Sequence, residues 1–204
     1  VCRAKVTATE YKDFMCYNLG AANQSACPFT PSWEINGDYW KWGRKDYAAA
    51  GPTGPGTGDA NNGAISGWNT TDAANGAWAN GSKTANDPCP AGYRVPTKAQ
   101  WDGVVANNTQ TNVGSFSDSA TNYGAGKKFG DQLMLPAAGG RRGNSGSWYS
   151  RGVSGYYWSS TEYSNSGAWY LIFVDSFSSG TSNGLGIGTT TFRRNGHSVR
   201  CVAE

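Results

Sequence analysis

The sequence predicts an α+β domain, with two helices in its first half and a meander of short strands in its second. Three observations lead there. Helical patterns occur at "TTDAANGAWANG" (Thr70 to Gly81) and at "VPTKAQWDGVVANN" (Val95 to Asn108). After Thr109 the apolar runs are short and bounded by Gly, Ser, Asn or Pro, as strands are. The chain of 204 residues holds 29 Gly, so tight turns and long loops must be frequent.

The elements follow in order. "CRAKVTATEYKDFMCYNLGA" alternates weakly and reads as two strands turning near Glu10 to Asp13. Paired as a hairpin, they set Cys2 beside Cys16. In "PFTPSWEINGDYWKWGRK" the Asn36-Gly37 pair signals a turn, with Tyr39, Trp40 and Trp42 close behind. Residues 48–67 form a Gly/Pro/Asn loop insertion with no apolar periodicity. Thr70 to Gly81 is expected as a short helix. The second helix has a capping box, Thr97 with Gln100 three residues on, and Trp101, Val104 and Val105 share a face. Pro136 ends the run Leu133 to Leu135. "GYYWSST", "AWYLIFVDSF", "GLGIGTTTF" and "HSVRCVAE" then read as four strands. Nothing repeats and no linker separates two cores, so residues 1–204 are expected to form one domain.

Composition narrows the function classes. A domain of this size buries about 70% of its unfolded surface. With 9 Trp and 11 Tyr, the core relies on a few large aromatics. Trp40, Trp42, Trp78, Trp101 and Trp158 are assigned to it. The net charge of +3 is scattered, with no basic stripe for nucleic acid or an anionic membrane. No apolar stretch approaches the ~18 residues of a membrane span. The abrupt start at Val1-Cys2 is what a trimmed product would show. Five Cys without a CxxC pair, and one His, argue against zinc and for disulfides in an oxidising compartment.

From "DPCPAGYRVPTKAQWD" (Asp87 to Asp102) the chain resembles the Fibrobacter succinogenes major paralogous domain, a bacterial relative of the C-type lectin fold. "FMCYNLGA", "PSWEINGDYWKWGRK", "LPAAGGRR", "YYWSSTEY" with "AWYLIF", and "RRNGHSVRCV" resemble that family in the same order. The resemblance covers nearly the whole chain except the loop near 51–67. It implies a C-type lectin-like fold: two helices, small twisted antiparallel sheets, long loops, and termini that pair. It also implies a bridge between Cys89 and Cys201. Cys2 with Cys16 is then the second pair, from the hairpin, and Cys27 is unpaired. A Cys16–Cys27 bridge leaving Cys2 free stays open. The C-terminal segment, near 145–195, is also similar to that of variable proteins diversified by retroelements, whose display positions carry Asn, Tyr, Ser, Asp and similar residues.

His197 has no second His to build a catalytic arrangement with and is expected to be structural. Glu162 lacks a partner carboxylate and is expected to bond backbone amides, Arg193 or Arg194. Formylglycine-generating enzymes share the wider fold, but their thiol chemistry would need Cys89 and Cys201 free. The proline triplets of calcium-dependent lectins are absent, "WNT" at Trp68 lacks the following Asp, and "GDANNG" (Gly58 to Gly63) lacks a closing Glu. No enzyme activity, metal or cofactor is therefore expected.

Alternation in "WYLIF" places Trp169, Leu171 and Phe173 on one face, expected as core. The residues left over form the predicted display surface: Trp148, Tyr149, Arg151, Val153, Tyr156, Tyr163, Asn165, Asp175, Phe177 and Asn183. Tyr and Trp give rigid contact area and Ser and Asn adaptable hydrogen bonds, as in antibody loops. The expected function is an adhesin-like or receptor-binding module, monomeric or part of a larger surface protein, on a bacterial cell or a phage particle. Its ligand would be a protein or glycan on another cell surface. The alternatives are a non-variable structural module of an envelope or phage tail, and a formylglycine-generating-enzyme-like catalyst.

Overall fold

The capping box expected at Thr97 forms in a computed structural model of the chain, which describes residues 1–55, 63–175 and 191–204 and the backbone of 180–182. The Thr97 hydroxyl accepts from the Gln100 amide, and the Gln100 side chain accepts from the Thr97 amide. Helix α1 (Lys98–Asn107) follows and buries Trp101, Gly103 and Val104. Gly103 has a specific reason. A Cβ there would lie 1.7 Å from the carbonyl oxygen of Val6, so the helix touches the first hairpin backbone to backbone.

That is the single α-helix among the described residues. The helix expected over Thr70 to Gly81 does not form. Asn69 Oδ1 accepts from the Thr71 amide, which favours a turn, and Gly76 and Gly81 adopt φ of 75° and 93°. Those angles break a right-handed helix. The two-helix, C-type lectin-like architecture is corrected accordingly: the chain is built mainly of small antiparallel sheets with one short helix.

Strands β1 (Cys2–Lys5) and β2 (Tyr11–Phe14) pair with Cys2 opposite Phe14. The turn lies earlier than Glu10 to Asp13, because the Thr7 hydroxyl accepts from the Glu10 amide and the Val6 amide donates to the Glu10 carbonyl. Strand β3 (Tyr93–Arg94) joins this sheet through the C-terminal strand, described below. Strands β4 (Gln110–Gly114), β5 (Ala125–Phe129) and β6 (Leu133–Pro136) form a meander. Strands β7 (Gly140–Arg141) and β8 (Trp148–Tyr149) form a short hairpin. The longest hairpin joins β9 (Ser154–Glu162) to β10 (Ala168–Val174), and β11 (Gly180–Ser182) extends it. Strand β12 (Val202–Ala203) lies between β2 and β3. Most of "GLGIGTTTF" lies outside the described residues, as does most of "GDANNG".

The β9–β10 hairpin is buried on both sides. Tyr157, Leu171 and Phe173 face a core with Phe14, Trp101, Phe129 and Leu135. Trp158, Tyr170 and Ile172 face a second core with Trp40, Trp42, Trp78 and Val199. Of the six Trp residues expected in the core, Trp40, Trp42, Trp78, Trp101 and Trp158 are buried there. Trp169 is only half-buried, packed edge-on by Tyr163 and capped by the Lys98 ammonium 4.7 Å from its ring. Four of the buried indoles donate to carbonyls, among them Trp42 to Ser159 at 2.9 Å and Trp101 to Trp158 at 3.1 Å.

Segment 191–204 crosses between these sheets. Backbone hydrogen bonds link Trp42 to Arg193, Trp40 to His197, Leu19 to Val199 and Met15 to Cys201. Its Arg200 is fully buried, donating to Asn18 Oδ1 and to the Met15 and Met134 carbonyls. Burial lowers its pKa to about 10, so it stays charged at neutral pH. Disulfides join Cys2 to Cys16 and Cys89 to Cys201, and Cys27 is a free, exposed thiol. The Cys16–Cys27 alternative is not adopted.

Candidate ligand-binding surface

The ten predicted display residues fall in separate places. Tyr163 and Asn165 are exposed at the β9–β10 turn, where Asn165 Oδ1 accepts from Asn75. Asp175 is exposed at the opposite end of β10, its carbonyl accepting from Asn112. Seven residues of strand separate these ends, roughly 20 Å. Trp148 and Tyr149 on β8, Val153 just before β9, and Tyr156 on β9 are half-buried. Phe177 and Asn183 lie outside the described residues.

Arg151 does not belong to a display surface. It is completely buried, donating to the Tyr39 hydroxyl at 2.8 Å and the Ala120 carbonyl at 2.5 Å. Its cation lies near the rings of Tyr39, Tyr123 and Trp148. A guanidinium in a Gly/Ser-rich stretch reads as a surface group, yet here it braces the loop.

Behind Tyr149 and Tyr156 stands His197. Its Nε2 is 2.8 Å from the Tyr149 hydroxyl, and its ring packs against Tyr156, Trp158 and Tyr170. Burial lowers its pKa to about 3, so the imidazole is neutral. Burial raises the Tyr149 phenol well above its usual range, so it too is uncharged. Glu162 accepts from the Gly76 amide and lies 3.8 Å from Arg193. Both residues therefore serve in structural contacts, and no group of His, Cys, Asp and Glu suited to a metal occurs among the described residues.

In front of Tyr149 a recess of about 300 Å³ opens between the β7–β8 turn and segment 192–195. Arg142, Asn144, Tyr149, Phe192, Arg194 and Asn195 line it. Arg142 lies over the Tyr149 ring at 5.3 Å and Arg194 over the Phe192 ring at 4.1 Å. Arg194 also pairs with Asp72 at 3.1 Å. Of these lining residues only Tyr149 is among the predicted display residues.

A signal for them existed in two words, "GGRRGN" and "TFRRNG". In each Arg-Arg pair, the first arginine is fully buried and the second faces outward. At the end of β7 and in the turn from Phe192 to Asn195 successive side chains leave the backbone in different directions, so one word yields both an anchor and a contact. Arg141 donates to the Gly146 carbonyl, and Arg193 to the Ala73 and Ser164 carbonyls. Those bonds fix the backbone from which Arg142 and Arg194 project. The result suits hydrogen bonding, stacking and cation–π contact.

Residues 126–202 match the family model of a domain of unknown function, DUF8237. The DUF8237-like stretch runs from β5 to β12 and contains every residue of the recess. No curated protein and no solved structure matches the chain.

Proposed function

We propose that this chain is a ligand-binding module whose recess, with Tyr156 and the exposed Tyr163 and Phe192 around it, contacts a protein or glycan on another surface. The observation that carries this reading is the pair of Arg-Arg words. A contact arginine held by a buried twin is pre-organised, which lowers the entropy lost on binding. The aromatic and amide content is that of binding loops. The two disulfides fit a secreted or extracellular protein. Placement on a bacterial or phage surface, and diversification of 145–195 by a retroelement, are parts of the same proposal.

The bridge between Cys89 and Cys201 supports binding over thiol chemistry, which would need both sulfurs reduced. Two measurements test the reading. Arg142→Ala and Phe192→Ala should abolish binding to whichever member of a glycan and cell-surface protein panel the wild type retains, with the fold unchanged. Retained binding would return the chain to the structural-module reading. For diversification, the locus should hold a near-repeat of the codons for 145–195 that differs at adenines, and its absence removes that part.

A further inference from the structure

Beside the recess, across Trp68, a larger cleft of about 630 Å³ opens between segments 41–48 and 65–77. Lys41 lines it while only 6% exposed. Its ammonium donates to the Asn69 carbonyl and lies 4.1 Å over the Trp68 ring. Arg44, on the same wall, donates to the Thr71 carbonyl at 3.3 Å. Neither cation forms an ion pair with a carboxylate among the described residues. Two carboxylates also line the cleft: Asp72, whose field reaches Lys41 and whose Oδ2 pairs with Arg194, and the exposed Asp46.

Buried cations are ordinarily matched by a counter-charge. Here one of them, Lys41, is buried beside the half-exposed Arg44 in the same cleft, and the two repel each other. Burial first, and then Arg44, lower the Lys41 pKa to about 8. An anion between the two would remove that repulsion and restore the missing partner. Tyr47 brings a ring that is 57% exposed, and Asn69 and Asn86 bring amides. An open ring beside amides matches the C–H face and hydroxyls of a sugar, and the cations match a carboxylate on it. The volume lies within the ordinary range for small-ligand sites.

We propose that this cleft binds an acidic saccharide, its carboxylate between Lys41 and Arg44 and a sugar ring against Tyr47. No residue lining this cleft lines the recess, so it stands or falls separately from that site.

Calorimetric titration with trigalacturonate tests it, with maltotriose as the neutral probe and triglutamate as the non-sugar anion. Trigalacturonate should bind, and the other two should bind at least tenfold more weakly. Arg44→Gln should weaken binding about tenfold, the loss expected for one charge-assisted hydrogen bond, with unchanged circular dichroism and melting temperature. Lys41→Met should weaken it further. Where that variant loses its fold, Arg44→Gln and protection of the Lys41 amine from acylation, read by mass spectrometry, carry the test. Absence of trigalacturonate binding, equal binding of maltotriose, equal or tighter binding of triglutamate, or an unaffected Arg44→Gln variant would each overturn the proposal.

Discussion

His197 should make the protein acid-sensitive in a window where carboxylates contribute little. The imidazole is fully buried among Tyr149, Tyr156, Trp158 and Tyr170, and its Nδ1 has no hydrogen-bond partner. Its native pKa is about 3, depressed by burial, against about 6.5 in an unfolded chain. Above pH 6.5 neither state holds the proton. Below it the unfolded chain takes up a proton that the native state refuses, so stability falls as pH falls, down to the native pKa. The slope is about 1.4 kcal/mol per pH unit, or about 2 kcal/mol between pH 6.5 and 5. Urea unfolding of the disulfide-intact protein at half-unit pH steps measures this directly. His197→Gln should be less stable at pH 7 but lose the slope in that window. The His197 ring signals in a carbon-13 NMR titration should stay constant down to pH 5. A wild-type unfolding midpoint that is flat from pH 7 to 5, or an equal slope in the variant, would refute the reasoning.

Three further outcomes are expected. Thiol titration of the native protein should find one reactive sulfur, Cys27, and Cys89→Ser with Cys201→Ser should lose about 4–5 kcal/mol in chemical unfolding, because the bridge closes a loop with a sequence separation of 112. Gly103→Ala should destabilise by about 2 kcal/mol or more despite the higher helix propensity of alanine, since its methyl would overlap the Val6 carbonyl; a neutral melting temperature would contradict that contact. Thr97→Ala should cost about 1 kcal/mol, read by thermal unfolding, through loss of the capping box.

Local chemistry was legible in the sequence where one element carries its own instructions. The Thr97–Gln100 box starts a helix wherever it stands, and Trp40, Trp42, Trp78, Trp101 and Trp158 are buried because nothing else in so glycine-rich a chain supplies the area. Pairing of the first two strands also followed from their alternation, although the Thr7 hydroxyl drew the turn back toward Val6. The segment Thr70 to Gly81 misled because its alanines have helix propensity, while Gly76 and Gly81 take left-handed backbone set by the surrounding loops. Arg151 misled for a related reason. Its acceptors, Tyr39 and Ala120, are remote in sequence, and no local pattern announces them. Tyr163 and Asn165 are exposed as a display surface requires, but their distance from Asp175 depends on strand length and not on residue type.

The crossing of segment 191–204 between the sheets sets a kinetic order on the molecule. Strand β12 sits between β2 and β3, so this sheet cannot close until segment 191–204 docks. The same segment supplies Arg200 to the Asn18 amide and His197 to the backbone of Trp40. Contacts of such long sequence separation are slow to form, and mixed topologies dominated by them fold in milliseconds to seconds. A polypeptide ending at residue 190 would leave β2 and β3 as unpaired edges open to other chains. Segment 191–204 thus acts as a keystone, and a folding intermediate in which it has not yet docked would be the stage most in need of chaperone protection.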